Sequence, residues 1–168
     1  MDIGEGLVAA YLRHVRGCDL ILTNVHLAGV QGELDVVGLE RGAPQTVWLC
    51  EVTTHTRGMN NPTKKPASKR VREKVERAAE FAADVFPAAQ LRFEVWSPIV
   101  RVGLISELET VATEFMSRHI ELAIVANETY TGRIQELVEV ARRTTATTGN
   151  DAFRMLQILT RLRGTLVV

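Results

Sequence analysis

Residues 32–55 read GELDVVGLERGAPQTVWLCEVTTH, and this stretch decides the fold. Two runs rich in β-branched and aliphatic residues, 33–39 and 46–54, flank Arg41, Gly42, Ala43 and Pro44, which is the composition of a hairpin turn between two strands. Side chains alternate across a strand, so Val47, Leu49, Glu51, Thr53 and His55 share one face and Trp48, Cys50, Val52 and Thr54 the other. Glu33, Asp35 and Val37 share a face in the preceding strand. If the two strands pair through the turn, Asp35 and Glu51 both lie at the end distal to it, close enough to share an ion. Two carboxylates brought together at the end of a buried hairpin are costly unless a cation, a proton or solvent compensates. The competing reading is a pair of acids at a solvated strand edge, where carboxylates are commonest.

Outward from the hairpin, the periodicity predicts a helix over 2–16, with Ile3, Leu7, Ala10 and Tyr11 at helical spacing and Gly17 as its stop. A strand over 20–27 follows, so that three strands succeed one another without a helix between them. Pro62 and Pro66 mark a loop, and a helix over 68–85 carries the stripe Val71, Val75, Ala78, Ala82 and Val85. A strand over 91–96 comes next, with a continuation past Pro98 through Ile99 and Val102 left open. The order to this point is αβββαβ. Ser106 and Glu109 have capping-box spacing and predict a short helix containing Leu108, Val111, Ala112 and Phe115. A fifth strand at 120–125 and two closing helices, around Leu137 and around Leu156, complete the chain. The apolar stripe from Leu156 to Leu162 either completes the core or pairs with a second subunit as a homodimer.

The chain has 168 residues and a formal net charge of zero, which fits one α/β domain and announces no polyanionic partner globally. Charge is local instead: between positions 57 and 77, Arg57, Lys64, Lys65, Lys69, Arg70, Arg72, Lys74 and Arg77 stand against Glu73 and Glu76 only. That run is either a solvated helix surface or a nucleic-acid face. Cys18 and Cys50 belong to no paired-cysteine spacing, so neither a disulfide framework nor a structural zinc is expected. No basic leader or bilayer-length apolar run is visible, and the expected setting is the cytoplasm, without membrane contact.

The strand GELDVV, followed about sixteen residues on by WLCEVT, resembles the PD-(D/E)XK nuclease superfamily, and is especially similar to the small bacterial family related to archaeal Holliday junction resolvases. The likeness spans roughly residues 3 to 103. It implies a restriction-endonuclease-like αβββαβ core with a mixed sheet (residues 1–103), continued by a C-terminal α/β extension with appended helices (104–168), in a single nuclease-like domain. It further implies a DNA endonuclease that hydrolyses phosphodiester bonds with Mg²⁺ or Mn²⁺. Asp35 and Glu51 would be metal ligands, assisted by the backbone carbonyl of Val52. Glu5, at the family's first-helix acid position, would complete or orient the site, although Asp2 and Glu5 also have capping-box spacing. The sequence departs from the family where active members carry a lysine: here stands Thr53, whose hydroxyl supplies no positive charge. Lys69 at the start of the next helix is the first candidate for a migrated lysine, with Lys74 a second one further along. His55 is a candidate proton relay. Arg57, Lys64, Lys65, Arg70 and Arg72 are the expected phosphate contacts if DNA lies across the site. The alternative is a catalytically degenerate scaffold that binds nucleic acid or assembles with a protein. Salt bridges quenching the two carboxylates, with no open cavity, would favour that alternative; Mg²⁺ or Mn²⁺ between Asp35 and Glu51 with the Lys69 ammonium nearby would favour the enzyme.

Overall fold

The computed structural model describes residues 2–27, 32–54, 59, 66–118 and 120–162. Within them the order is α1 (Ile3–His14), β1 (Leu20–His26), β2 (Glu33–Glu40), β3 (Thr46–Val52), α2 (Ala67–Val85), β4 (Gln90–Ser97), α3 (Val102–Met116), β5 (Glu121–Ala126), α4 (Asn127–Arg143) and α5 (Asp151–Arg161). The expected αβββαβ series is therefore present, and the sheet continues into β5. Strand order in space equals strand order in sequence. β1, β2 and β3 pair antiparallel, whereas β3, β4 and β5 run parallel through the crossover helices α2 and α3. The result is a mixed α/β sheet with helices on both faces.

The two faces carry separate cores. Val37, Leu39, Val47, Leu49, Phe93 and Val95 pack against the stripe Val71, Val75, Ala78 and Ala82 of α2 and against Leu104, Leu108, Val111 and Phe115 of α3. On the other face Val36, Trp48, Cys50, Trp96 and Val125 meet Val8, Tyr11 and Leu12 of α1, Leu137 and Ala141 of α4 and Phe153 of α5. Burial on both faces explains why β3 is nearly continuously apolar rather than alternating, each enclosed aliphatic side chain contributing about 1.5 to 3 kcal/mol.

Two glycines set the path of α1. Gly17 takes φ +78° just after the helix, a conformation costly for any side chain with a Cβ. At the other end a Cβ on Gly4 would stand 1.9 Å from Thr54 Cγ2, so the start of α1 meets the chain just beyond β3 so closely that any larger residue would force the Thr54 side chain to yield. Asp2 caps the helix by accepting from the Gly4 and Glu5 amides at 2.6 and 3.1 Å, and Glu5 Oε2 accepts from the Asp2 amide at 3.0 Å.

Two sequence expectations change. β4 ends at Ser97 and does not run on through Val102, which instead opens α3. Ser106 is accordingly a helix-interior residue, its hydroxyl directed at the Val102 carbonyl at 3.5 Å, and the Ser106/Glu109 spacing is a coincidence of helix composition. The stripe on α5 also divides: Leu156 packs inward beside Phe153, while Met155, Ile158, Leu159 and Leu162 remain exposed.

Candidate metal centre at the end of the central hairpin

The β2–β3 ladder is in register at Val36↔Cys50 and Val37↔Leu49. Continued by one residue, that register sets Asp35 opposite Glu51, both distal to the turn as the alternation predicts. The regular pairing stops there, and the Asp35 carboxylate takes its place: Oδ2 accepts from the Val52 amide at 2.6 Å. This bond fixes the Asp35 rotamer with a backbone donor and aims the acid at the end of β3. Glu51 follows Val47 and Leu49 on the α2 face, so the helix supplies its counter-charge. The Lys74 ammonium forms an ion pair with Glu51 Oε1.

Both acids are buried, at 7% exposure for Asp35 and 8% for Glu51. Desolvation pushes each carboxyl up from its ordinary range. Burial together with the neighbouring Asp35 charge carries Glu51 to about 7, even against the opposing pull of Lys74. Asp35 is raised by burial and held back by the Val52 amide, Lys74 and a hydrogen bond with Glu51. The two groups are thus close enough to share a proton. One atom is left over: among the described residues no donor reaches the buried Glu51 Oε2. An orphaned carboxylate oxygen beside a second carboxylate is an unfavourable arrangement for folding alone.

Comparison with protein-family models, with curated proteins and with solved structures returns no match to this chain. The assignment of the site consequently rests on its own geometry.

The remaining candidates fall into three groups. Glu5 is beside the pair rather than in it: its charge is felt at Asp35, but its Oε2 is engaged by the Asp2 amide and by Asn24 Nδ2 at 3.5 Å. Among the described residues no group of three or more His, Cys, Asp or Glu side chains is placed to hold a metal, so Glu5 does not complete a three-acid centre. Asn24, missed in the sequence, adopts φ 53° in the middle of β1 at the register position facing Asp35, a conformation Asn tolerates better than most residues.

Thr53 is half-buried, and its amide donates to the Trp96 carbonyl at 2.8 Å, tying the end of β3 to β4. Lys69 is exposed on the solvent side of α2 and is not brought to the acids; Lys74 is. The difference is angular. Lys69 lies about 200° around the helix from Val71, whereas Lys74 is three residues after Val71 and four before Ala78 and so borders the buried stripe.

Of the expected phosphate contacts, Arg70 donates to the Met59 carbonyl at 3.1 Å and Arg72 is paired with Glu114 of α3. Both arginines thus serve the protein's own packing. Arg57, Lys64, Lys65 and the candidate relay His55 lie outside the described residues.

Proposed function

We propose that this chain is a metal-dependent phosphodiesterase on a restriction-endonuclease-like scaffold, cleaving DNA at a Mg²⁺ or Mn²⁺ held by Asp35 and Glu51. The single observation that carries the reading is the orphaned Glu51 Oε2, buried beside Asp35 at the end of the hairpin. A hard divalent cation fits that donor set, because carboxylate and carbonyl oxygens suit it and it keeps several waters rather than demanding an all-protein cage. Asp35, Glu51 and the Val52 carbonyl are the groups that would hold it. When bound, such an ion lowers the pKa of a coordinated water and offsets charge on the phosphate.

The chain's own residues do the rest. The Val52 amide keeps Asp35 in one orientation, so the acidic pair is preorganised. Lys74 provides the positive charge that Thr53 lacks, from the helix instead of the strand.

The Lys74–Glu51 ion pair also favours a second reading, a degenerate nuclease scaffold that binds nucleic acid without cutting it, since a salt bridge partly quenches the acidic site. A nuclease assay on linear, branched and single-stranded DNA with Mn²⁺ separates the two. The first reading expects cleavage that falls by at least about a thousandfold in Asp35→Ala while circular dichroism stays unchanged. DNA affinity with no cleavage of any substrate establishes the second reading, and neither affinity nor cleavage removes both.

A further inference from the structure

Resting on that metal-dependent reading, we propose that Lys74 is a tethered stand-in cation: it neutralises Glu51 while the site is metal-free, and swings outward toward the bound phosphate when a divalent ion loads. The geometry identifies which partner moves. In the ion pair the Lys74 side chain is 35% exposed and that of Glu51 10%, so the lysine has a route into solvent and the glutamate has none. Asp35 is pinned by the Val52 amide as well. The acids are therefore the fixed part of the site, and the ammonium, on its flexible four-carbon stem, is the adjustable part.

Charge points the same way. With both carboxylates ionised, one ammonium leaves a surplus negative charge and, among the described residues, an oxygen of Glu51 without a donor. A divalent cation balances the pair without the lysine, and then an ammonium at Glu51 becomes a like charge next to the ion, which expels it. Once expelled, it remains anchored on α2 at the border of the site. From there it meets the phosphate oxygens that the scaffold otherwise leaves to Thr53. One residue would thus keep the apo protein stable and charge the loaded site, which also explains why the strand position tolerates a hydroxyl.

The test is Mn²⁺ binding by calorimetry at pH 8.5 to the wild-type chain, Lys74→Met and Glu51→Gln. Methionine retains the stem and removes the charge, and Lys74→Gln repeats the measurement if the methionine variant does not fold. Lys74→Met is expected to bind Mn²⁺ about tenfold more tightly than wild type, because its competitor is gone, while losing DNA cleavage. In the wild type, acylation of the Lys74 amine is expected to speed up severalfold on saturation with Mn²⁺. Equal or weaker Mn²⁺ binding by the Lys74 variants, with wild-type binding intact and abolished by Glu51→Gln, overturns the stand-in role and leaves the metal site standing. An unchanged Lys74 acylation rate overturns it too. Absence of Mn²⁺ binding in wild type and all variants removes the metal-dependent reading itself.

Discussion

Two buried glutamates lie almost side by side in the sheet and differ in how they are satisfied. Glu94 of β4 is opposite Cys50 and faces α1 and α4; Glu51 of β3 is one residue further on and faces α2. Glu94, 2% exposed, accepts from Trp96 Nε1 at 2.9 Å and has Arg133 Nη2 3.9 Å from its other oxygen. That arginine also donates to the Tyr11 hydroxyl, which donates onward to Glu136 at 2.7 Å. Each oxygen of Glu94 has a partner, and the network links three elements into one body. Among the described residues, Glu51 has a donor for one oxygen and none for the other. A network in which every member is paired holds a fold together, whereas one left incomplete after burial points to a role that folding alone does not explain.

The largest effect that sharpens this contrast is on stability, in opposite directions. Glu94→Gln is expected to lower unfolding free energy by about 1 to 2 kcal/mol, because Arg133 loses its buried partner and, among the described residues, keeps only Glu136 as a nearby acid. Glu51→Gln at pH 8 is expected to leave stability unchanged or to raise it by about 1 to 2 kcal/mol, since it removes a buried, half-paired carboxylate. Urea titrations of both variants make the comparison, and equal losses would erase the distinction.

The pH profile is the next test. Glu51 has a folded pKa of about 7 against an ordinary 4.5, so the folded protein holds this proton more tightly than the unfolded chain. Its contribution to stability is fully present below pH 4.5 and is lost as the pH rises through 7, with a total of roughly 3 kcal/mol. Asp35 and Glu94 are shifted the same way, so the wild-type slope exceeds that of Glu51 alone. The difference between wild type and Glu51→Gln reports the coupled Asp35–Glu51 pair, since removing the Glu51 charge also shifts Asp35. Parallel curves from pH 4 to 8 would show that Glu51 titrates as it does in the unfolded chain.

A smaller change addresses the frame around the site. Gly4→Ala forces a methyl into Thr54 beyond the end of β3, and is expected to cost about 1 to 2 kcal/mol, partly recovered by Thr54→Ser, which deletes the Cγ2. Thermal melts of the single and double variants measure that coupling; additive losses would mean that the two positions do not touch. Smallest of all is Lys69→Ala, expected to change stability by less than about 0.5 kcal/mol and cleavage by less than about twofold, because the side chain is exposed and away from the acids.

Much of the site could be read from residues 32–55, because a hairpin turn and a period of two together set both the face and the end on which Asp35 and Glu51 meet. The αβββαβ order followed from the same punctuation. The lysine was harder. Lys69 is nearer in sequence to the strand it was meant to serve, but proximity along a helix does not place a side chain; angle from the buried stripe does, and that angle selects Lys74. Arg70 and Arg72 stood in a basic run whose partners, the Met59 carbonyl and Glu114, come from a loop and a helix that the sequence alone could not set beside them. The start of α3 was displaced because capping-box spacing also occurs inside amphipathic helices, where Ser106 resides.

The most direct test of the central claim is an anomalous diffraction map from crystals soaked in Mn²⁺. A peak about 2.1 Å from Glu51 Oε2 and from an Asp35 carboxylate oxygen, with the Lys74 ammonium withdrawn from Glu51, is the expected result. Saturating Mn²⁺ with no peak between those two carboxylates would contradict the account.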